Sequence, residues 1–248
     1  MQLHDLIASI NAMLEPDKYR DYAPNGLQVE GRGEVRRIVT GVTACLDLIY
    51  AARERAADLL LVHHGWFWKR EDPRITGMRR KRISALLAAD MSLAAYHLPL
   101  DDHPEFGNNA LLGRKLGFIA DGRFGEDNLG WIGQPEEELP VRSLAERIKR
   151  HLAREPLLVG PADKRIRRVA WCTGAAQDMI EAAAEAGADC FISGEISERT
   201  THIARELNIA YLACGHHATE RFGIAALGKR LADEHGLEVE FVDIDNPA

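Results

Sequence analysis

Five of the chain's 10 histidines fall in three short clusters, and two of these clusters also carry a carboxylate, Asp101 and Glu220. The clusters are His63-His64-Gly65, His97-Leu98-Pro99-Leu100-Asp101 and Gly215-His216-His217-Ala218-Thr219-Glu220. Each follows an apolar run that reads as a strand. Burying so many ionisable groups without compensation is costly, so the set points to a dinuclear metal site rather than to packing. Imidazole with carboxylate suits zinc, manganese, iron, cobalt or nickel. Two such ions, roughly 3.5–4 Å apart, make and orient a hydroxide and stabilise a leaving oxygen.

The spacing assigns roles within the set. Neighbouring side chains on a regular strand face opposite ways, so His63 and His64 suit a strand end that turns, or two ions that each take one. His216 and Glu220 are four apart and share one face of any helix that starts after Gly215. Asp101 can bridge two ions through its two oxygens. His97 and His217 are either ligands or partners that orient a ligand from behind. Glu195 stands at a strand end that mirrors that of His64. It can serve as a further ligand, as a general base, or as a carboxylate at a helix N-terminus. Cys214, two residues before His216, is a soft donor by type and a small buried residue by setting.

The elements that position these groups repeat. Ile38 to Thr43 is a β-branched run, Leu46 to Ala56 reads as a helix, and Ala57 to Val62 is a buried strand ending in His63. A similar pattern returns 131 residues later, with Val169 to Gly174, a helix from Ala176 to Ala186, and Ala188 to Ser193 ending in Gly194-Glu195. In that offset Asp47 matches Asp178 and Asp58 matches Asp189. A third strand precedes each remaining cluster, Leu93 to Tyr96 before His97 and Ile209 to Ala213 before Gly215. Strand–helix–strand units of this length imply parallel pairing with right-handed crossovers. The expected fold is therefore α/β, with two similar, interlinked halves built from βαβ repeats and mixed sheets. Ligand sites of open α/β sheets lie at the carboxyl ends of strands, so the halves are expected to face a central metal crevice. The boundary is expected near residue 126, giving halves 1–126 and 127–248. Asp121 to Pro140 reads as a connector with short strands, and Val141 to Ala153 as an amphipathic helix with Leu144, Ile148 and Leu152 inward.

Composition narrows the class. The chain is 46% hydrophobic and 28% charged, with a net charge of −7, which disfavours wrapping nucleic acid through bulk electrostatics. No apolar run has the length of a membrane span, and the start lacks the pattern of a signal peptide. The four cysteines form no C-x-x-C pair and read as reduced thiols of a cytoplasmic protein. The sequence lacks a Ser-His-Asp spacing, a P-loop and a Rossmann fingerprint. Thr173-Gly174-Ala175-Ala176 could seat an anion at a helix N-terminus.

One segment suggests what the site holds. Trp66-Phe67-Trp68-Lys69-Arg70 leaves the histidine pair directly, and Arg79-Arg80-Lys81-Arg82 follows. Aromatics beside cations stack bases and hold phosphates, so Trp66, Lys69, Arg79 and Arg80 are the candidate substrate contacts. The alternative is an oligomer interface for the aromatics and a solvated helix face for the charges.

The histidine clusters, together with Asp21-Tyr22-Ala23-Pro24-Asn25-Gly26-Leu27-Gln28-Val29-Glu30-Gly31, make the chain resemble the Nif-three-like dinuclear-metal proteins, in their short bacterial branch. The resemblance runs from about Asp21 to Ala248. It implies two interlinked α/β halves around a two-metal site, assembled as a ring-shaped homohexamer. It implies His63, His64, Asp101, His216 and Glu220 as ligands of two divalent ions. This chain carries Leu98-Pro99 where many members have Thr-Asn, and it lacks the large inserted domain of longer members. Members often bear the label of type 2 homologues of GTP cyclohydrolase I. The leading expectation is thus a metal-dependent hydrolase acting on a nucleotide-like substrate, with Glu195 or His97 handling protons. The alternatives are a non-enzymatic metal-binding ring and a ring that binds single-stranded nucleic acid.

Overall fold

The computed structural model describes all 248 residues and is a mixed α/β protein. The chain divides into two compact units, Met1–Gly107 with Gly223–Asp245, and Asn108–Phe222 with Asn246–Ala248. The division falls at Gly107 rather than near residue 126. Phe118–Phe124 pairs antiparallel with Gly130–Pro135, so a cut at 126 would sever a hairpin of the second unit. The segment read as a connector is largely that hairpin. The chain then returns to the first unit because Glu238–Phe241 pairs parallel with Arg37–Thr43.

The first unit is built on a five-stranded sheet in the order Gly26–Val29, Ser92–Ala95, Leu59–His64, Arg37–Thr43, Glu238–Phe241. All neighbours are parallel except the first pair. The central strands are buried on both faces, which is why Arg37–Thr43 and Leu59–His64 read as continuous apolar runs rather than alternating ones. The crossover helix Leu46–Glu54 buries Leu48, Ile49 and Ala52. These pack with Val39, Leu60, Val62 and Leu93 of the sheet.

The second unit holds a six-stranded sheet in the order Phe118–Phe124, Gly130–Pro135, Val169–Trp171, Cys190–Ser193, Ala210–Ala213, Leu157–Val159. Its three strands Val169–Trp171, Cys190–Ser193 and Ala210–Ala213 are parallel. Side chains alternate between its faces. Val169, Trp171, Ile192 and Leu212 enter one core with the helix Val141–Leu152, whose Val141, Leu144, Ile148 and Leu152 form the buried stripe. Ala170, Phe191 and Tyr211 enter another core on the opposite face, with Ile180 and Ala204.

The 131-residue offset appears as repeated hydrogen bonding. Oδ2 of Asp58 accepts the backbone N–H groups of Arg36 and Arg37, and Oδ2 of Asp189 accepts those of Arg167 and Arg168. The backbone N–H of Ala57 donates to Ala52, and that of Ala188 to Ala183. Each unit therefore carries the same strand–helix–strand–strand frame, and its polar clusters stand at the carboxyl ends of two adjacent parallel strands.

Candidate metal centre

In the first unit, His63 and His64 end the strand Leu59–His64, and His97 follows Ser92–Ala95 by two residues. His63 is fully buried, and His97 and Asp101 are nearly so. One ring nitrogen from each of His63, His64 and His97 lies within 4.8 Å of the others. Their rings are close, with centroids 4.4 Å apart for His63 and His64 and 5.2 Å for His63 and His97.

Each imidazole is held through Nδ1. That of His63 donates to the Tyr96 carbonyl at 2.9 Å, that of His97 to Oδ1 of Asp21 at 2.9 Å, and that of His64 meets Oγ1 of Thr43 at 3.2 Å. A carbonyl and an ionised carboxylate can only accept, so His63 and His97 carry a proton on Nδ1, and it is Nε2 that each ring can offer to an ion. This is how proteins commonly orient histidine ligands. Nε2 of His63 lies 3.4 Å from Oδ1 of Asp101. Two donors about 2.1 Å from one tetrahedral ion are themselves about 3.4 Å apart. The donor chemistry and this spacing fit a divalent metal ion.

Asp101 is placed by a short helix, Leu98–Asp102. Pro99 stands in its first turn, where no backbone N–H is needed. The open end of this helix is capped from a distant loop. Oδ2 of Asp21 accepts the N–H of Leu98 at 3.0 Å, and Oδ1 of Asn25 accepts that of His97 at 2.7 Å. Asn25 also donates to Asp21 at 3.0 Å. Burial alone would raise the Asp21 carboxyl, but its bonds from His97, Asn25 and Leu98 hold it well below the usual carboxylate range. Gln28, on the strand Gly26–Val29 that follows this loop, accepts the N–H of Trp66 at 2.7 Å. Asp21, Asn25 and Gln28 thus fasten the loop and this strand to the segments that carry the histidines.

In the second unit, Gly215 at φ +95° turns the chain into the four-residue helix His216–Thr219. Nε2 of His216 lies 3.1 Å from Oε2 of Glu220, and Nδ1 donates to Oε1 of Glu195 at 2.7 Å. The Glu220 side chain is 3% exposed and that of His216 26%. Burial would lower the His216 imidazole, but the flanking carboxylates, Glu220 first and Glu195 second, raise it to about 9. Without an ion the site therefore holds a proton between its carboxylates. The His216–Glu220 spacing also fits two donors on one ion.

Glu195 lies at the strand end that corresponds to His64 and is tied to the ring of His216. Thr173-Gly174 is followed by a three-residue 3-10 turn, Gln177–Met179, that leads into the short helix Ile180–Glu185. Gly174 is small for a steric reason. A Cβ on Gly174 would come 2.1 Å from Oε1 of Glu220 and 3.2 Å from Nε2 of His216. Cys214 is buried, and burial raises its thiol; its Sγ faces the Leu212 carbonyl at 3.5 Å.

Of the expected substrate contacts, Trp66 is a core residue. It is 6% exposed, and its indole N–H donates to the Ala44 carbonyl at 2.9 Å. The indole beside the histidines belongs to Trp68, 5.1 Å from the ring of His97 and 6.0 Å from that of His64. Lys69 is exposed and donates to the Asp21 carbonyl at 2.6 Å. Arg79 pairs with Glu71, and Arg80 is exposed on the helix Gly77–Ala88. Asp21, the hub of the first donor set, escapes sequence reasoning as a functional residue, as does Thr43. No helix is long and apolar enough to cross a membrane.

The family model of Duf34/NIF3 (NGG1p interacting factor 3) matches residues 1–247. A Vibrio cholerae relative named GTP cyclohydrolase 1 type 2 homolog is 55% identical over 98% of each chain. One of Allochromatium vinosum with the same name is 53% identical over 99% of this chain and 97% of its own. A solved structure described as protein ybgI, of unknown function, is 48% identical, covers all of both chains and superposes with a TM-score of 0.96.

Proposed function

Because the chain belongs to the Duf34/NIF3 family, we propose that it is a metal-dependent hydrolase acting on a nucleotide-like substrate, with His63, His64, Asp101, His216 and Glu220 as ligands of two divalent ions. The relatives' shared name, GTP cyclohydrolase 1 type 2 homolog, supports a nucleotide-like substrate. The observation that carries the reading is the common tether of the histidines. His63, His97 and His216 each commit Nδ1 to a protein acceptor, which aims Nε2 away from it.

Divalent ions, when bound, supply Lewis acidity that lowers the pKa of water and offsets charge on a leaving oxygen. Asp21 holds the His97 proton on Nδ1, so Nε2 is ready to accept a proton from the nucleophile and return it to the leaving group. Glu195 holds His216 in one orientation. Lys69, Arg79 and Arg80 gather the negative charge of the substrate. A homohexameric ring is the assembly we propose for the chain.

The test uses protein purified without a His tag, analysed for metals and assayed against purine nucleotides and phosphoesters. Turnover that falls by about 100-fold or more in His64→Ala, with the fold retained, is expected. Full activity in that variant would sink the proposal. Tight metal uptake without turnover on any substrate would favour a metal-holding ring instead.

A further inference from the structure

Two aromatic side chains flank the histidine cluster. Tyr22 and Trp68 lie with ring centroids 5.6 Å apart and planes inclined by 34°. Each stands edge-on to His97 at 5.1 Å, with interplanar angles of 73° and 81°. Tyr22 is 52% exposed, an unusual state for a large aromatic ring beside a buried polar centre. The pair is also fixed. The backbone N–H of Lys69 donates to the Tyr22 carbonyl at 3.0 Å, and its ammonium to the Asp21 carbonyl at 2.6 Å. Asp21 in turn holds His97. The ledge and the imidazole are therefore one preorganised assembly, and Lys69 and Arg70 continue it as exposed cations.

We infer that Tyr22 and Trp68 form the ring-binding subsite of the protein, on which the heteroaromatic base of a nucleotide stacks while its reacting group reaches the histidines. The inference rests on reading the histidine cluster as the reaction site. A base sandwiched between the two rings would need their centroids about 7 Å apart. At 5.6 Å the base lies instead on the outer face of the ledge. Stacking of this kind tolerates any base, so selectivity among bases comes from elsewhere. The two neighbouring cations place the phosphate on the Lys69 side. Phe67 takes no part, because its positive φ of 69° marks a turn between Trp66 in the core and Trp68 on the ledge.

The experiment titrates the metal-loaded protein with GMP and AMP, and with ribose 5-phosphate as a ring-free control, following tryptophan emission and heat. The mononucleotides should quench emission and bind more tightly than the control. Trp68→Ala and Tyr22→Ala should each weaken mononucleotide binding by about tenfold, and Trp68→Phe should recover most of the loss. Metal content and melting temperature should stay at wild-type values, which separates the ledge from the ligand set. Mononucleotides that bind no better than ribose 5-phosphate, or that bind both alanine variants like wild type, overturn the inference. Ring binding that obeys these expectations in a protein with no turnover would sink the hydrolase reading alone.

Discussion

The imidazole of His97 donates from Nδ1 to one oxygen of Asp21 at 2.9 Å, while the other oxygen accepts the N–H of Leu98 at 3.0 Å. One carboxylate therefore fixes a side chain and the start of the helix that carries Asp101. Its own side chain is only 3% exposed, so its partners cannot turn to water when it is removed. Asp21→Ala should cost about 2–4 kcal/mol, read as a lowered urea midpoint. Asp21→Asn should cost less, since an amide keeps one acceptor. The sign of the pH dependence follows from the depressed carboxyl. Its stabilisation is complete above the unfolded value of 3.8 and is lost as pH falls through the lower folded value. The gap between wild type and Asp21→Asn should thus be widest near neutrality and narrow in acid. A gap that stays constant from neutral pH down to about 3 would count against this role.

The histidine clusters and the repeated frame are legible in sequence because both are local. A β-branched run, a helix and a second apolar run can be read without knowing what packs on them. Asp21 is not legible in this way. It lies 76 residues from His97, so only a tertiary contact reveals its function. The aromatic segment fails for another reason. The sequence reading takes Trp66 as a substrate contact, but the backbone direction buries Trp66 against Ala44 and leaves Trp68 beside His97. The unit boundary is hidden because Phe118–Phe124 and Gly130–Pro135 are rich in polar and small residues, and their hairpin is stabilised by joining the sheet at Val169–Trp171.

Glu195 accepts from Nδ1 of His216, whose Nε2 meets Glu220. Glu195→Gln removes one of the two charges that raise His216. In metal-stripped protein the His216 imidazolium should therefore titrate below the value of about 9 in the variant, as read by NMR. A raised histidine contributes stability that is complete below its unfolded value of 6.5 and fades as pH rises toward 9. The stripped wild type should accordingly lose stability across that window, and Glu195→Gln should lose less. Metal affinity of the variant should fall about 10- to 100-fold, as for other partners that orient ligands. An unchanged affinity would remove Glu195 from the centre.

Gly174 has φ +68° and leaves no space for a methyl group beside Glu220. Its N–H donates to Oγ1 of Thr219 at 3.2 Å. Gly174→Ala should cost about 1–3 kcal/mol from backbone strain and displace the Glu220 carboxylate as well. The expected signature is a metal loss larger than the change in melting temperature alone would cause. Gly187 provides the control, since it also has positive φ, +85°, but nothing lies within 4 Å of a Cβ there. Gly187→Ala should strain the backbone equally and leave metal content unchanged.

The repeated carboxylates Asp58 and Asp189 allow the same interaction to be measured in two settings. Each accepts two successive backbone N–H groups at 2.9–3.0 Å through Oδ2. Asp58 is the more enclosed, with a side chain 12% exposed and Arg32 at 2.9 Å. Asp189 is 29% exposed, with Lys164 at 3.7 Å. Removing either acceptor leaves two donors at the start of a strand, and water can reach those of Asp189 more readily. Asp58→Ala should therefore cost about 2–3 kcal/mol and Asp189→Ala about 1–2 kcal/mol. The two share no partner, so the double variant should show their sum. Urea midpoints at constant slope would measure all three. Equal costs at both positions would mean that burial does not set the value of this bond, and a negligible cost at Asp58 would remove it from the frame.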